Sequence, residues 1–173
     1  INKIDLPDSN LQKTEQQLYS LGLVPDNMGG DVPFVKCSAK TGAGIDTLLE
    51  QISIVAELAE LKANPDKAAS GTVLEAYLSE KEGVQATLLV QGGTLHEGDV
   101  VVAGHAFGTV RRMFDDRGQP IESAGPSVPV RILGLDEVPN ADDPFNVVAD
   151  IGTAREIAEK RKARMAEKAI TSR

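Results

Sequence analysis

Residues 71–78 read Gly71-Thr72-Val73-Leu74-Glu75-Ala76-Tyr77-Leu78, an alternating run. Just upstream the pattern is different. Ile45, Leu48, Leu49, Ile52, Val55, Leu58 and Leu61 recur with the 3.6-residue period of an amphipathic helix. Between the two lies Asn64-Pro65-Asp66, a helix-breaking run. One change of period across one break divides the chain into two architectures.

Downstream, short strand-like runs follow one another over Val84–Val90, Asp99–Ala103, Phe107–Phe114, Val128–Leu133 and Phe145–Ala149. Asp115-Asp116-Arg117-Gly118 is a hairpin turn signal. At least six short strands joined by Gly-rich turns predict a small closed barrel, which leaves no exposed sheet edge. Thr153 is placed to cap a final helix carrying Arg155, Lys160, Arg161, Lys162, Arg164 and Lys168. Arg155–Glu159 and Glu156–Lys160 are spaced to pair along it.

Upstream, Asp8-Ser9-Asn10 offers helix caps, and Leu11, Leu18 and Leu21 have helical spacing up to Gly22. Pro25 to Gly30 reads as a loop, and Val32 to Cys37 as a short buried strand. Ile1 to Asp5 reads as the end of another. The order strand end, helix, strand, helix is the βαβα pattern of a parallel α/β sheet. Two strands and two helices cannot cover both faces of such a sheet. Residues 1–62 are therefore expected to be an α/β remnant of a longer protein, with exposed apolar surface that favours aggregation or pairing with a second copy. The expected organisation is 1–62, a linker over 63–67, a barrel over 68–151 and a basic helix over 153–173.

The 173 residues carry a net charge of −8. Residues 1–62 hold 5 basic and 9 acidic residues, residues 63–152 hold 6 and 14, and residues 153–173 hold 7 and 3. A basic segment thus follows an acidic body, which argues against a DNA-binding protein. Aromatic residues are 3% with no Trp, so the core must be aliphatic. The single Cys37 excludes an internal disulfide and fits a reducing compartment. No apolar run approaches the roughly 20 residues that span a bilayer, so no membrane partner is expected.

Two short motifs carry chemistry. Asn2-Lys3-Ile4-Asp5 has the form N-K-x-D, and Ser38-Ala39-Lys40 the form S-A-K. Alone, the first is a solvated strand end and the second a helix cap. Together they stand in order, each after a strand and before a helix. Guanine presents N1–H and N2–H₂ side by side, and one carboxylate accepts both. Asp5 is the candidate, and it rejects adenine, which would leave the carboxylate unpaired. The aliphatic stem of Lys3 covers one face of the base and Lys40 the other. Asn2 ties the two loops together, and the Ala39 N–H faces guanine O6. Ser38 completes the guanine-binding set.

With these motifs the chain resembles the translational GTPases, and most closely the bacterial-type translation initiation factor 2 family. Leu23 to Gly30, Ser38 to Asp46, Glu60 to Ala63, Ala69 to Glu75, Gly93 to Asp99 and Gly125 to Val130 all carry the resemblance. Met28 departs from it, standing where members often have Trp. The resemblance implies the last strands and helices of a P-loop GTPase domain, then an all-β translation-factor barrel facing the small ribosomal subunit and its rRNA, then a helix leading onward. It implies GTP/GDP as ligand, with Mg²⁺ in the whole protein. It implies initiator tRNA as a partner held by other domains, and the bacterial cytoplasm or an organelle stroma as location.

The sequence holds no G-x-x-x-x-G-K-[ST], no Mg²⁺-ligating Ser or Thr beside one, and no D-x-x-G switch, since the runs of that form, Asp26 to Gly29 and Asp115 to Gly118, read as a loop and a hairpin turn. The chain is therefore expected to hold nucleotide weakly and not to hydrolyse GTP alone. No catalytic residue and no metal ligand is assigned. Arg111, Arg112, Arg117 and Arg131 are the barrel's candidates for rRNA phosphates, against the plainer reading that they offset nearby carboxylates. Cys37 reads as a core thiol, and His96 and His105 as surface histidines near turns. Two other functions remain open: a free-standing barrel that binds ribosome or protein with no nucleotide role, and a translational GTPase of the elongation-factor type.

Overall fold

A computed structural model describes residues 1–171. Ser172 and Arg173, the end of the basic helix expected over 153–173, lie outside the described residues. The chain divides into two compact units, Ile1–Lys62 and Ala63 onward.

In the first unit, α1 spans Leu11–Ser20, with the Asn10 side chain accepting from the Lys13 N–H as N-cap. Gly22 ends it at φ 82°, with Leu23 N donating to Leu18 O and Gly22 N to Tyr19 O. These two bonds satisfy carbonyls the helix leaves unpaired. A single 3-10 turn covers Asp26–Met28, closed by Gly29 at φ 83°. Met28 is 64% exposed, and its Sδ accepts from the Tyr19 hydroxyl at 2.8 Å. α2 spans Ile45–Leu58. It stops short of Leu61, because Glu60 turns into left-handed backbone at φ 46°.

The expected strand over Val32–Cys37 is extended but not a regular strand. Ile1 N donates to Val35 O at 2.7 Å and Cys37 N to Ile1 O at 2.9 Å, a parallel pairing centred on Ile1. It goes little further, because Lys3 at φ 64° takes the chain out of extended geometry. On α2, Leu49, Ile52, Val55 and Leu58 are between 49% and 79% exposed. Of these, Ile52 and Val55 line, with Leu48, an apolar groove of about 510 Å³ that reaches Val35 and Leu61.

In the second unit the strands are β1 Ser70–Ser79, β2 Gly83–Gly92, β3 Leu95–His96, β4 Val100–Ala103, β5 Ala106–Phe114, β6 Pro120–Ile121, β7 Ser123–Ala124, β8 Pro129–Leu135 and β9 Pro144–Val148. Six close into an antiparallel ring in the order β4, β9, β1, β2, β8, β5 and back to β4. β6 extends β5 across the expected hairpin turn, where Asp115 Oδ1 accepts from Arg117 N and Gln119 N and Gly118 sits at φ 76°. Alternate residues point inward: Val73, Leu88, Val90, Val101, Val110, Met113, Val130, Ile132 and Phe145 are at most 2% exposed. Burial of each such side chain contributes about 1.5–3 kcal/mol.

The stretch expected to be a linker over 63–67 is bonded to the barrel. Gly93 N donates to Asn64 O, Thr94 N to Lys67 O, and the Thr94 hydroxyl to Pro65 O. Gly93 makes this approach possible, since a Cβ there would sit 2.4 Å from the Ala68 carbonyl oxygen.

α3 spans Ile151–Thr171. Its cap is Asp150 rather than Thr153: the Asp150 carboxylate accepts the Thr153 N–H at 2.8 Å and its hydroxyl at 3.0 Å. Both bonds, backbone first, hold the Asp150 carboxyl below its ordinary value. The helix is docked on the barrel rather than fully solvated. Ala154 and Ala158 are buried, Arg161 Nη1 donates to Gly104 O at 2.8 Å, and Arg155 lies over the Phe107 ring at 5.9 Å. Lys162 Nζ meets Glu137 Oε1 at 2.6 Å. Among the described residues, no helix is long and apolar enough to cross a membrane.

Candidate guanine pocket

The Asn2–Asp5 loop and the 38–44 loop meet because the pairing around Ile1 puts them side by side. Ile4 N donates to Cys37 O at 3.3 Å, a main-chain bond from within the first loop to the residue just before the second. The second loop is tight. Ser38 N donates to Ala43 O and Gly42 N to Ser38 O, both at 2.8 Å. Gly42 is at φ 81° and Gly44 at φ 71°. A Cβ on Gly44 would lie 2.1 Å from the Lys36 carbonyl oxygen. The Thr41-Gly42-Ala43-Gly44 run is therefore what lets the chain pass from Cys37 through the loop into α2.

Two side chains then lock the loops together. Asn2 Oδ1 accepts from its neighbour Lys3 N at 2.7 Å and, across 37 positions of sequence, from Ala39 N at 3.1 Å. These bonds fix Lys3 in its left-handed backbone, which a non-glycine residue adopts at a cost of about 1–3 kcal/mol. Ser38, fully buried, donates its hydroxyl to Asp5 Oδ1 at 2.6 Å and accepts from Thr41 N at 3.2 Å. The Asp5 carboxylate is thereby aimed by a buried hydroxyl. Each of its oxygens keeps acceptor capacity.

Asn2, Lys3, Asp5, Leu6, Ala39 and Lys40 line an open cavity of about 390 Å³. That lies within the roughly 300–1,000 Å³ typical of small-molecule sites. All six residues expected from the sequence are thus brought together, five on the wall and Ser38 behind it. One detail differs: the Ala39 N–H expected to face a ligand is already given to Asn2. Leu6 was missed by sequence reasoning. The only signal for it is its position directly after Asp5, in the turn where Leu6 N donates to Lys3 O.

The barrel arginines separate into two kinds. Arg131 is engaged: its Nη1 donates to Gln85 Oε1 at 2.7 Å, its guanidinium lies 4.3 Å from the Phe114 ring centroid, and Glu82 is 3.5 Å away. Arg111 and Arg112 are both exposed. The ladder between β5 and β8 runs from Gly108↔Leu135 to Arg112↔Leu133, so β5 bulges between them. Gly134, at φ 130°, lies under the bulge, where a Cβ would sit 1.9 Å from the Thr109 carbonyl oxygen. The bulge turns two consecutive arginines outward where a regular strand would bury one. Arg117 is exposed in the β5–β6 turn.

Cys37 is buried. His96 Nδ1 lies 3.8 Å from Asp99. His105, expected at the surface, has a side chain only 16% exposed; its Nε2 is 3.7 Å from Glu137 and its Nδ1 is buried without a partner. Among the described residues, no group of three or more His, Cys, Asp or Glu side chains gathers around a common point.

Comparison with known proteins bears on the fold and the family. The family model for elongation factor G domain 2 matches residues 68–148, which is the barrel. Translation initiation factor IF-2 of Clostridium novyi (strain NT) is 53% identical over 99% of this chain. IF-2 of Symbiobacterium thermophilum is 55% identical over 99% of it. The chain spans 25% and 17% of the length of those two relatives. Among solved structures, GDP-bound aIF5B from Aeropyrum pernix is 20% identical, with a TM-score of 0.66 over 88% of this chain and 30% of that one. Apo elongation factor SelB from Methanococcus maripaludis is 20% identical, with a TM-score of 0.62 over 87% of this chain and 33% of that one. At that identity the last two speak for the fold. The sequence identities, sustained from end to end, speak for descent: the chain belongs to the translation initiation factor IF-2 family, matching a segment of its members.

Proposed function

We propose that this chain is the guanine-reading edge and ribosome-facing barrel of a GTP-dependent initiation factor, one that promotes initiator tRNA binding to the small ribosomal subunit and subunit joining. The observation that carries this reading is the pair of cross-loop bonds, Ser38 to Asp5 and Ala39 to Asn2. They set a carboxylate at the wall of a pocket on the same chain as a translation-factor barrel. Guanine's two adjacent donors meet Asp5, and the stems of Lys3 and Lys40 flank the ring. Phosphates and Mg²⁺ are held by other parts of the whole protein. Initiator tRNA is held elsewhere too, and the setting is the bacterial cytoplasm or an organelle stroma.

The barrel contacts rRNA through Arg111 and Arg112, and through Arg117 in the turn that follows β5; Arg131 serves mainly to hold Gln85 and Phe114. A barrel this acidic repels generic RNA, so contact depends on these placed charges and on shape. Co-sedimentation of the chain with purified small subunits tests this. The account expects binding that weakens with salt and drops about tenfold in the Arg111→Ala/Arg112→Ala double variant. Binding indifferent to that pair overturns the assignment.

A further inference from the structure

The barrel ring is closed by β1, but only its first part is paired on both sides. β2 pairs with β1 along its whole length, whereas β9 reaches only Ser70, Gly71 and Thr72. The 142–143 turn adds two bonds to Val73, and Asp142 at φ 66° then takes the chain away. Leu74 is skipped in the register, a bulge that marks where the ring ends. Beyond it, Glu75 to Ser79 has β2 on one side and, among the described residues, no strand on the other.

This free edge is not blunted in the usual way, by proline or by lysine pointing outward. It is apolar: Leu74 is 46% exposed, Tyr77 48% and Leu78 70%. Its charges are acidic. Residues 74–82 hold Glu75, Glu80 and Glu82 against one lysine, and the adjoining 136–143 loop holds Asp136, Glu137, Asp142 and Asp143 with no basic residue. Glu82 is near Arg131 and Glu137 is bonded to Lys162, but among the described residues Glu75, Glu80 and Asp142 form no ion pair, Glu75 accepting only from the Thr87 hydroxyl at 3.4 Å. They stand along and at the end of the open edge.

We infer that the Glu75–Ser79 edge of β1 is a docking site for an extended, basic polypeptide segment of a partner protein, which adds a strand to the barrel in line with β9. Main-chain bonds supply the affinity of such strand addition, and alternate side chains its specificity. Ala76 and Leu78 lie on one face of the strand, Glu75 and Tyr77 on the other. The incoming segment therefore alternates apolar residues against Leu78 with lysine or arginine against Glu75 and Asp142.

The test is amide hydrogen exchange on the whole chain with a blocked Lys-Val-Lys-Val-Lys-Val peptide, and with Glu-Val-Glu-Val-Glu-Val as control. The expected result is slowed exchange at residues 75–79 with the lysine peptide only. Its affinity falls about tenfold in Glu75→Lys/Glu80→Lys, whose exposed sites leave the fold intact. An Ala76→Pro variant, which removes one edge donor, is expected to lose the protection as well. No binding, equal protection by the glutamate peptide, or indifference to charge reversal overturns the inference. So does protection that appears without peptide as protein concentration rises, which assigns the edge to a second copy. Protection produced only by a short oligouridine assigns it to RNA.

Discussion

Ser38 shows how much one residue can decide. It is fully buried, and its one hydroxyl both donates to Asp5 and accepts from Thr41. Ser38→Ala leaves a carboxylate and an amide unpaired together. A lost bond to a charged group costs about 1.5–3 kcal/mol, so the first unit should denature at lower urea when followed by helical circular dichroism. Gly134 is the corresponding residue in the barrel. Gly134→Ala drives a Cβ against the Thr109 carbonyl and strains φ 130°, so it should cost about 2 kcal/mol or more. Gly118→Ala, in open space at φ 76°, should cost less, about 1 kcal/mol. Paired thermal melts check the order. That Asn2 to Asp5 and Ser38 to Lys40 meet at one pocket was legible in the sequence, because each motif stands at the end of a strand-like run and before a helix. The role of Gly134 was not, because a glycine's neighbour across a ladder is set by register.

Among the elements, α3 gives the clearest pH dependence. The Lys162 hydrogen bond holds Glu137 below its ordinary 4.5, and the bonds to Thr153 hold Asp150 below its ordinary 3.8. A carboxyl lowered on folding stabilises above its ordinary value and loses that contribution as pH falls through the folded value. Lys162 is raised from 10.5 by the Glu137 hydrogen bond, so its contribution is present below 10.5 and lost above it. Docking of α3 should therefore be strongest between pH 4.5 and 10.5 and loosen from 4.5 downward. Methyl resonances of the buried Ala154 and Ala158 report this directly, and in Asp150→Ala the cap's share of the loosening should already be present at pH 7. The existence of this helix was legible from Arg155 to Lys168. Its cap was misread, because Asp150 lies one step outside the apolar pattern and Thr153 is the nearer cap former. Its docking was invisible, because Ala154 and Ala158 are too small to register as an apolar face. The six strands of the ring were legible to within about two residues at each end, since inward burial imposes a period of 2, whereas the two-residue strands β3, β6 and β7 are too short to show one. The 32–37 segment was overread, because its parallel pairing centres on Ile1 and goes little further before Lys3 leaves extended geometry at φ 64°.

At the scale of the molecule, the two units differ in how they keep apolar surface from water. The barrel does so throughout its interior: Phe145→Ala, at 0% exposure, should cost about 3–5 kcal/mol. The first unit does not. Leu58, at 79% exposure, should be replaceable by alanine within about 0.5 kcal/mol. Its open groove along α2 should make the chain self-associate at high concentration, and Ile52→Glu should reduce that association in sedimentation velocity.

The central claim is that Asn2, Lys3, Asp5, Ser38, Ala39 and Lys40 form a site that reads guanine. The most direct measurement is an amide NMR titration of the chain with GDP and with ADP, repeated in Asp5→Asn. The account predicts weak binding, with GDP shifting the Ala39 and Thr41 amides while ADP does not, and with the response lost in Asp5→Asn. Equal shifts with ADP, a response that survives Asp5→Asn, or no shift at these amides with either nucleotide would contradict it.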